Sequence, residues 1–234
     1  MDEMRKTLDA GLPGLGLELN EETRETLCAF GAAVVRQNEV MNLTAITEPE
    51  QVAKLHLLDS LSVLCCANLK GKTLIDVGCG AGFPGVPVAI ACPEAKITLL
   101  DSLAKRMNWL ESVLPQLGIT NARCITARAE EAVAKCREKY DFATSRAVAR
   151  LNILLELTAP YVRIGGAVLA LKGAAAKEEL AEAQNAIRKL GLKVEEVKEF
   201  PVDGAMHAVI ILRKVHATPT QYPRRYAKIK QSPL

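Results

Sequence analysis

The residues best placed to do chemistry are those of LIDVGCGAGFPG, Leu74 to Gly85. An apolar run ending at Asp76-Val77 meets Gly78, Gly80 and Gly82, where missing side chains let the backbone pass close to a ligand before a helix starts at Pro84. Such a loop suits something flat or polar, although a glycine-rich turn can also do no more than pack a strand against a helix. A dinucleotide fingerprint, G-x-G-x-x-G, requires glycine at position 83, and Phe83 stands there, which argues against a nicotinamide oxidoreductase. Two later loops point at the same place. KITLLD ends at Asp101, whose carboxylate, at the carboxyl edge of a doubly wound sheet, can accept both hydrogen bonds of a ribose 2′,3′-diol. The plainer role for Asp101 is to cap the next helix. After the following strand come Ala129 and Glu130, a backbone N–H and a carboxylate able to read an adenine ring, or simply acid in a helix's first turn. Three successive loops converge on one crevice.

The elements that must position these loops follow from periodicity. Short β-rich runs near 73–77, 96–101, 122–126, 141–144, 166–171, 193–197 and 207–212 alternate with helical segments near 86–91, 103–117, 130–137, 151–161 and 176–190. That alternation predicts an α/β fold: a doubly wound, mostly parallel seven-stranded sheet, covered by helices on both faces. Asp203-Gly204 joins the last two strands as an antiparallel hairpin at the sheet edge. Ahead of the sheet, Asn20 caps a helix over 21–37, and Thr47 with Glu50 has the form of a capping box opening a helix through His56 and Asp59 toward Leu64. The division is a small N-terminal helical extension (1–66), an α/β domain (67–214) and a basic C-terminal tail (215–234).

Composition sets the class. With 234 residues, 49% of them hydrophobic and 24% charged, the chain is an ordinary globular protein. No apolar run approaches a membrane span, and no secretion signal opens the sequence, which predicts a cytoplasmic protein. Seven scattered cysteines and three distant histidines give neither a disulfide scaffold nor a metal site. From Arg213 onward there are six basic residues and no acid, leaving 24 of the 30 basic residues against 27 acidic ones in the rest of the chain.

Glycines at 78, 80 and 82 behind an acid resemble the loop of class I, Rossmann-like methyltransferases that use S-adenosyl-L-methionine (AdoMet). A longer, ordered set is more specific: MNLTAI (41–46), HLLDSL (56–61), DVGCGAGFPG (76–85), LLDSLAKR (99–106), ARAEE (127–131), TSRAVARL (144–151), LALKG (169–173) and the ending YPRR…SPL. On these residues the chain resembles the RsmG (GidB) family, AdoMet-dependent enzymes that methylate N7 of a guanine in bacterial 16S ribosomal RNA. The resemblance implies AdoMet as cofactor, held by Gly78, Gly80, Gly82, Phe83, Ala129, Glu130 and Arg146, with Asp101 at the ribose. It implies catalytic roles for Arg146 and Lys172, with Arg128 also at the rim where cofactor and RNA meet. Cys79, Gln37 and Arg150 depart from the family's usual residues, at positions the cofactor assignment does not need.

The chemistry agrees with what is present. Guanine N7 has an in-plane lone pair and no proton, so direct displacement of the methyl group needs no general base, and none is evident beside the loop. The fork of donors on Arg146 suits a methionine carboxylate or guanine O6; its plainer role is a salt bridge at the sheet edge. RNA is to be held through phosphates by Arg128 and by Arg224, Arg225, Lys228 and Lys230 of the tail, where Tyr222 and Tyr226 add rings for stacking; the alternative is a solvated terminus. His56 and Asp59 read as structural. The expected partner is 16S rRNA or the small subunit, met by a monomer. A small-molecule methyltransferase and a non-catalytic ribosome-assembly factor are the rival readings.

Overall fold

Apolar residues occupy both faces of the strands, so the sheet must be covered on both sides. The structure, a computed structural model describing residues 2–234, meets that demand. Among the described residues the strands are β1 (Thr73–Val77), β2 (Lys96–Asp101), β3 (Ala122–Thr126), β4 (Tyr140–Arg146), β5 (Val162–Lys172), β6 (Leu192–Val202) and β7 (Ala205–Lys214). Their order is β3-β2-β1-β4-β5-β7-β6. Pairing is parallel from β3 through β5 and antiparallel at β5–β7 and β7–β6, so β6 forms one edge and β3 the other. The β6–β7 hairpin turns at Asp203 and Gly204, both with positive φ (47° and 79°), the backbone a two-residue hairpin turn requires.

The helices are α1 (Asp2–Gly11), α2 (Glu21–Met41), α3 (Pro49–Val52), α4 (Asp59–Leu61), α5 (Gly85–Ala91), α6 (Ala104–Gln116), α7 (Ala129–Cys136), α8 (Leu151–Thr158), α9 (Ala176–Glu182), α10 (Gln184–Lys189) and α11 (Tyr226–Gln231). Alternate strand residues feed two cores. Leu74, Leu99, Leu169 and Ile211 join Leu8, Leu27, Phe30 and Leu61 on one face, so the N-terminal helices share a core with the sheet. Ile75, Leu100, Val168 and Ile210 join Leu151, Leu154, Ile187, Tyr222 and Ile229 on the other.

Several local expectations need correction. α2 starts as predicted, with Asn20 Oδ1 accepting from the Thr23 N–H at 2.8 Å, but runs on to Met41. Thr47 and Glu50 form no capping box: the cap is Glu48, without a side-chain bond, and the Glu50 carboxylate instead takes Lys54, one turn on, at 2.5 Å. The expected helix to Leu64 is interrupted by a π-helical turn over Ala53–Leu58. The segment 176–190 divides at Ala183 into α9 and α10, and 151–161 closes in a 3-10 turn at Ala159–Tyr161, which contains Pro160. The helices α1 and α11 lie outside the predicted segments; Met4, Leu8 and Leu12, at helical spacing and buried, are the signal for α1.

Candidate functional site

β1 and β4 are neighbours in space but leave the sheet centre in opposite directions, and ligands of open α/β sheets bind where that reversal opens a crevice at the strands' carboxyl ends. A cavity of about 630 Å3 lies there, walled by the glycine loop, Asp101, the 127–130 segment, Arg146 and Tyr226. The loop geometry explains the glycines. Gly78 and Gly82 have φ of +74° and +96°, and an added Cβ would meet Val148 Cγ2 at 2.5 Å and Val86 Cγ2 at 2.7 Å. Gly80, at φ +56°, is different: a Cβ there would meet nothing within 4 Å, so it faces open space.

Asp101 stitches the loop together and lines the cavity. Its Oδ2 accepts from the Gly80 N–H at 3.0 Å and its Oδ1 from the Leu103 N–H at 2.9 Å, which leaves each oxygen a second lone pair for a diol. The helix-cap role expected of Asp101 is not what forms: α6 is capped at Leu103 without a side-chain bond, and the Asp101 contact to the Leu103 N–H is a local turn two residues on, ahead of the helix. Asp76 sits behind the loop, fully buried; Oδ2 accepts from the Gly85 N–H at 2.8 Å, Oδ1 finds no partner among the described residues, and burial lifts the carboxyl to about 7. Cys79 is buried against Met107 Sδ at 3.9 Å, and burial pushes its thiol up, which removes it as a nucleophile.

Arg146 is the most constrained cation of the site. Its NH1 donates to the Leu55 carbonyl at 2.7 Å and to Asp59 Oδ2 at 2.9 Å, and its NH2 lies 3.1 Å from His56 Nδ1. Burial, with Arg146 beside it, pulls His56 down to about 4, so the ring is neutral. Nδ1 also lies 3.2 Å from the Leu55 carbonyl, and Nε2 pairs with Thr44 Oγ1 at 2.8 Å, so both ring nitrogens are engaged. His56 stacks on Phe83 (4.6 Å between centroids, 21°), and the Arg146 guanidinium lies over the same ring at 5.2 Å. Asp59 also accepts from His207 at 2.8 Å, a contact that raises the histidine. The salt bridge expected as the plainer role of Arg146 is therefore present, while Arg146 still lines the cavity.

Gly78, Gly80, Phe83, Asp101, Arg128, Ala129, Glu130 and Arg146 come together on the cavity wall. Gly82 lies under the loop against Phe30. Lys172 lies off the wall, buried, with Nζ 2.6 Å from the Ala149 carbonyl and 2.7 Å from Glu179. Arg224 is taken up by the fully buried Glu156 at 2.6 and 2.8 Å, whereas Arg225, Lys228 and Lys230 are exposed. Sequence reading assigned no role to Thr44 or Arg106, which also line the cavity, although both fall within the runs MNLTAI and LLDSLAKR. A glycine cradle open at Gly80, a free lone-pair set on Asp101 and an acid at Glu130 fit a nucleoside with an extended charged arm.

Comparison with known proteins follows the same line. A family model described as rRNA small subunit methyltransferase G matches residues 23–207. A ribosomal RNA small subunit methyltransferase G of Alkaliphilus metalliredigens is 42% identical over 237 residues, covering 99% of each chain. One from Thermoanaerobacter sp. is 46% identical over 210 residues, 88% of each. Among solved structures, a variant of the 16S rRNA (adenine(1408)-N(1))-methyltransferase of Catenulisporales acidiphilia with its cosubstrate SAM superposes with TM-score 0.53 at 16% identity, over 63% of this chain and 87% of that one. At that identity the likeness speaks for the fold alone.

Proposed function

The chain belongs to the rRNA small subunit methyltransferase G family, and from that premise we propose that its cavity binds AdoMet and transfers the methyl group to N7 of a guanine in 16S ribosomal RNA. The observation that carries this reading is the convergence of the glycine loop, Asp101 and Glu130 on one cavity of about 630 Å3. Asp101 takes the ribose diol, Ala129 and Glu130 the adenine, and Phe83 with Arg146 the methionine end. Bound there, AdoMet supplies a methyl group activated by its sulfonium.

The residues around that end position and do not deprotonate. His56 is neutral and bonded on both ring nitrogens, and Asp101 is bonded to two backbone N–H groups. A guanine N7 lone pair needs no base, so catalysis rests on holding donor and acceptor in line, a source of roughly 7–11 kcal/mol in well-oriented pairs. Arg146, fixed through Leu55, Asp59 and His56, turns its remaining donors to a carboxylate or to guanine O6. Lys172 acts at one remove: by holding the Ala149 carbonyl it fixes the segment in which Ala147 and Val148 line the cavity. Phosphates are met by Arg128 at the rim and by Arg225, Lys228 and Lys230.

The proposed working unit is a monomer acting in the cytoplasm. Mass mapping of nucleosides after the purified protein and AdoMet are added to ribosomal RNA from cells lacking this activity tests the reading. One new 7-methylguanosine in 16S rRNA is the expected result. Binding of AdoMet without any methylation of RNA or subunits overturns it in favour of an assembly factor; turnover on small acceptors alone overturns it in favour of small-molecule chemistry.

A further inference from the structure

The chain beyond β7 is clamped to the domain far more firmly than a solvated basic tail requires. Lys214 is fully buried, its Nζ donating to the Ala159 carbonyl at 2.7 Å and to Thr218 Oγ1, with Glu138 at 3.2 Å. The Thr218 N–H donates to Glu138 Oε1 at 2.8 Å, and Arg137 donates to the carbonyls of Thr218 and Tyr222. Tyr222 and Ile229 are buried in the core. Arg224 then closes on Glu156, a fully buried carboxylate of α8, with Nε, NH2 and its own backbone N–H. Burying a carboxylate is unfavourable unless it is paired and hydrogen-bonded, so Glu156 and Arg224 fix the position of this segment.

Two residues further on, the chain reaches the cavity. Tyr226 lines it together with Leu157, Ala129 and Glu130, and the Tyr226 N–H points to Glu130 Oε1 at 3.3 Å. We propose that Tyr226 is a cofactor-contacting residue, carried by the C-terminal segment to the adenine end of the cavity and held there by the Arg224–Glu156 pair. The inference rests on the AdoMet reading. An aromatic ring beside Leu157 supplies a flat apolar surface for a purine. The Tyr226 N–H, by occupying Glu130 Oε1, leaves Oε2 for the adenine amine. The ring then belongs to the cofactor and not to an RNA base, while the exposed Arg225 and Lys228 beside it remain for phosphate.

Calorimetric titration of the full-length protein with S-adenosylhomocysteine and with adenosine tests this, on wild type, Tyr226→Phe, Tyr226→Leu and Tyr226→Ala, each checked by circular dichroism and thermal melting. Tyr226→Leu keeps apolar bulk over α8, so the tail stays docked when the ring is gone. The expected result is affinity within about twofold for Tyr226→Phe and about five- to a hundredfold weaker for folded Tyr226→Leu and Tyr226→Ala, the range for losing one ring-on-base contact. The factor should be the same for adenosine as for the whole ligand. Unchanged affinity in folded Tyr226→Leu overturns the inference, and if RNA binding falls instead the ring belongs to the nucleic acid. A wild type that binds neither ligand removes the AdoMet reading itself, an outcome distinct from equal binding by wild type and variant.

Discussion

Arg146 and Asp59 form an ion pair of 2.9 Å that joins the carboxyl end of β4 to the N-terminal helices, with side chains only 16% and 8% exposed. The pair makes the helical extension part of the site: Asp59 and the Leu55 carbonyl set where the guanidinium stands, and Phe83 lies beneath it. Removing the cation leaves a buried carboxylate served by His207 alone. Arg146→Ala is therefore expected to abolish methyl transfer and to cost about 3 kcal/mol of stability, the low end for breaking a buried pair because one partner persists. Arg146→Lys, which restores charge without the fork, should recover most of the stability and little of the activity. Urea unfolding and a methyl-transfer assay on both variants check this.

The two glycines of the loop should fail in different ways. At Gly80 an alanine suffers only the left-handed backbone, about 1–2 kcal/mol, and its methyl projects into open space on the ligand side. Gly80→Ala is expected to stay folded and lose AdoMet affinity. At Gly82 the methyl also meets Val86 at 2.7 Å and Leu110 at 3.0 Å, so Gly82→Ala should unfold earlier than Gly80→Ala. Thermal melting beside calorimetry separates the two.

How much of this was legible beforehand depended on where each interaction is encoded. The seven strands and the cavity wall followed from local patterns: alternating apolar runs and glycines between a strand and a helix. The place of Asp101 on the cavity wall was readable because it depends on the end of one strand. Arg224 was not, because what removes it from the free cations is Glu156, 68 residues away and buried beneath it. Lys172 likewise matched a motif, yet Glu179 on α9 and the Ala149 carbonyl decide where its charge goes. The π-helical turn at Ala53–Leu58 has no propensity signature; the Arg146 bond to the Leu55 carbonyl crosses 91 residues.

The histidines should give stability opposite pH slopes. His56 stays neutral in the fold down to about 4, while the unfolded chain takes up the proton near 6.5, so its contribution is lost as pH falls through that window. His207 is raised by Asp59; its contribution is full below 6.5 and is lost as pH rises through the folded value. His56→Gln is expected to flatten the acid side of a stability–pH curve, and His207→Gln to destabilise more at pH 6 than at pH 9. Urea midpoints across pH 4–9 provide the check.

Asp76 adds a third slope. Burial without a partner for Oδ1 keeps its proton up to about 7, against 3.8 for the free group, so the native state holds the extra proton between those values. Its contribution to stability is full below 3.8 and declines until about pH 7, then stays level. Asp76→Asn should gain on wild type steadily from pH 4 to 7 and no further above it, read from the difference of the two unfolding curves.

The tail arginines separate anchoring from RNA binding. Arg224 is committed to Glu156, so Arg224→Ala should lower the melting temperature and weaken the cofactor contact at Tyr226 without removing a phosphate ligand. Arg225 is exposed, and no ion pair holds it among the described residues. Arg225→Gln is expected to leave the melting temperature unchanged and to weaken RNA binding, with the slope of log affinity against log salt falling in magnitude by about 0.7–0.9, the signature of one lost phosphate contact. RNA titrations from 50 to 200 mM salt on the two variants decide the assignment. A reduced slope in a stably folded Arg224→Ala would mean that the Glu156 pair opens when RNA arrives, and that the anchor is exchanged for a phosphate during turnover.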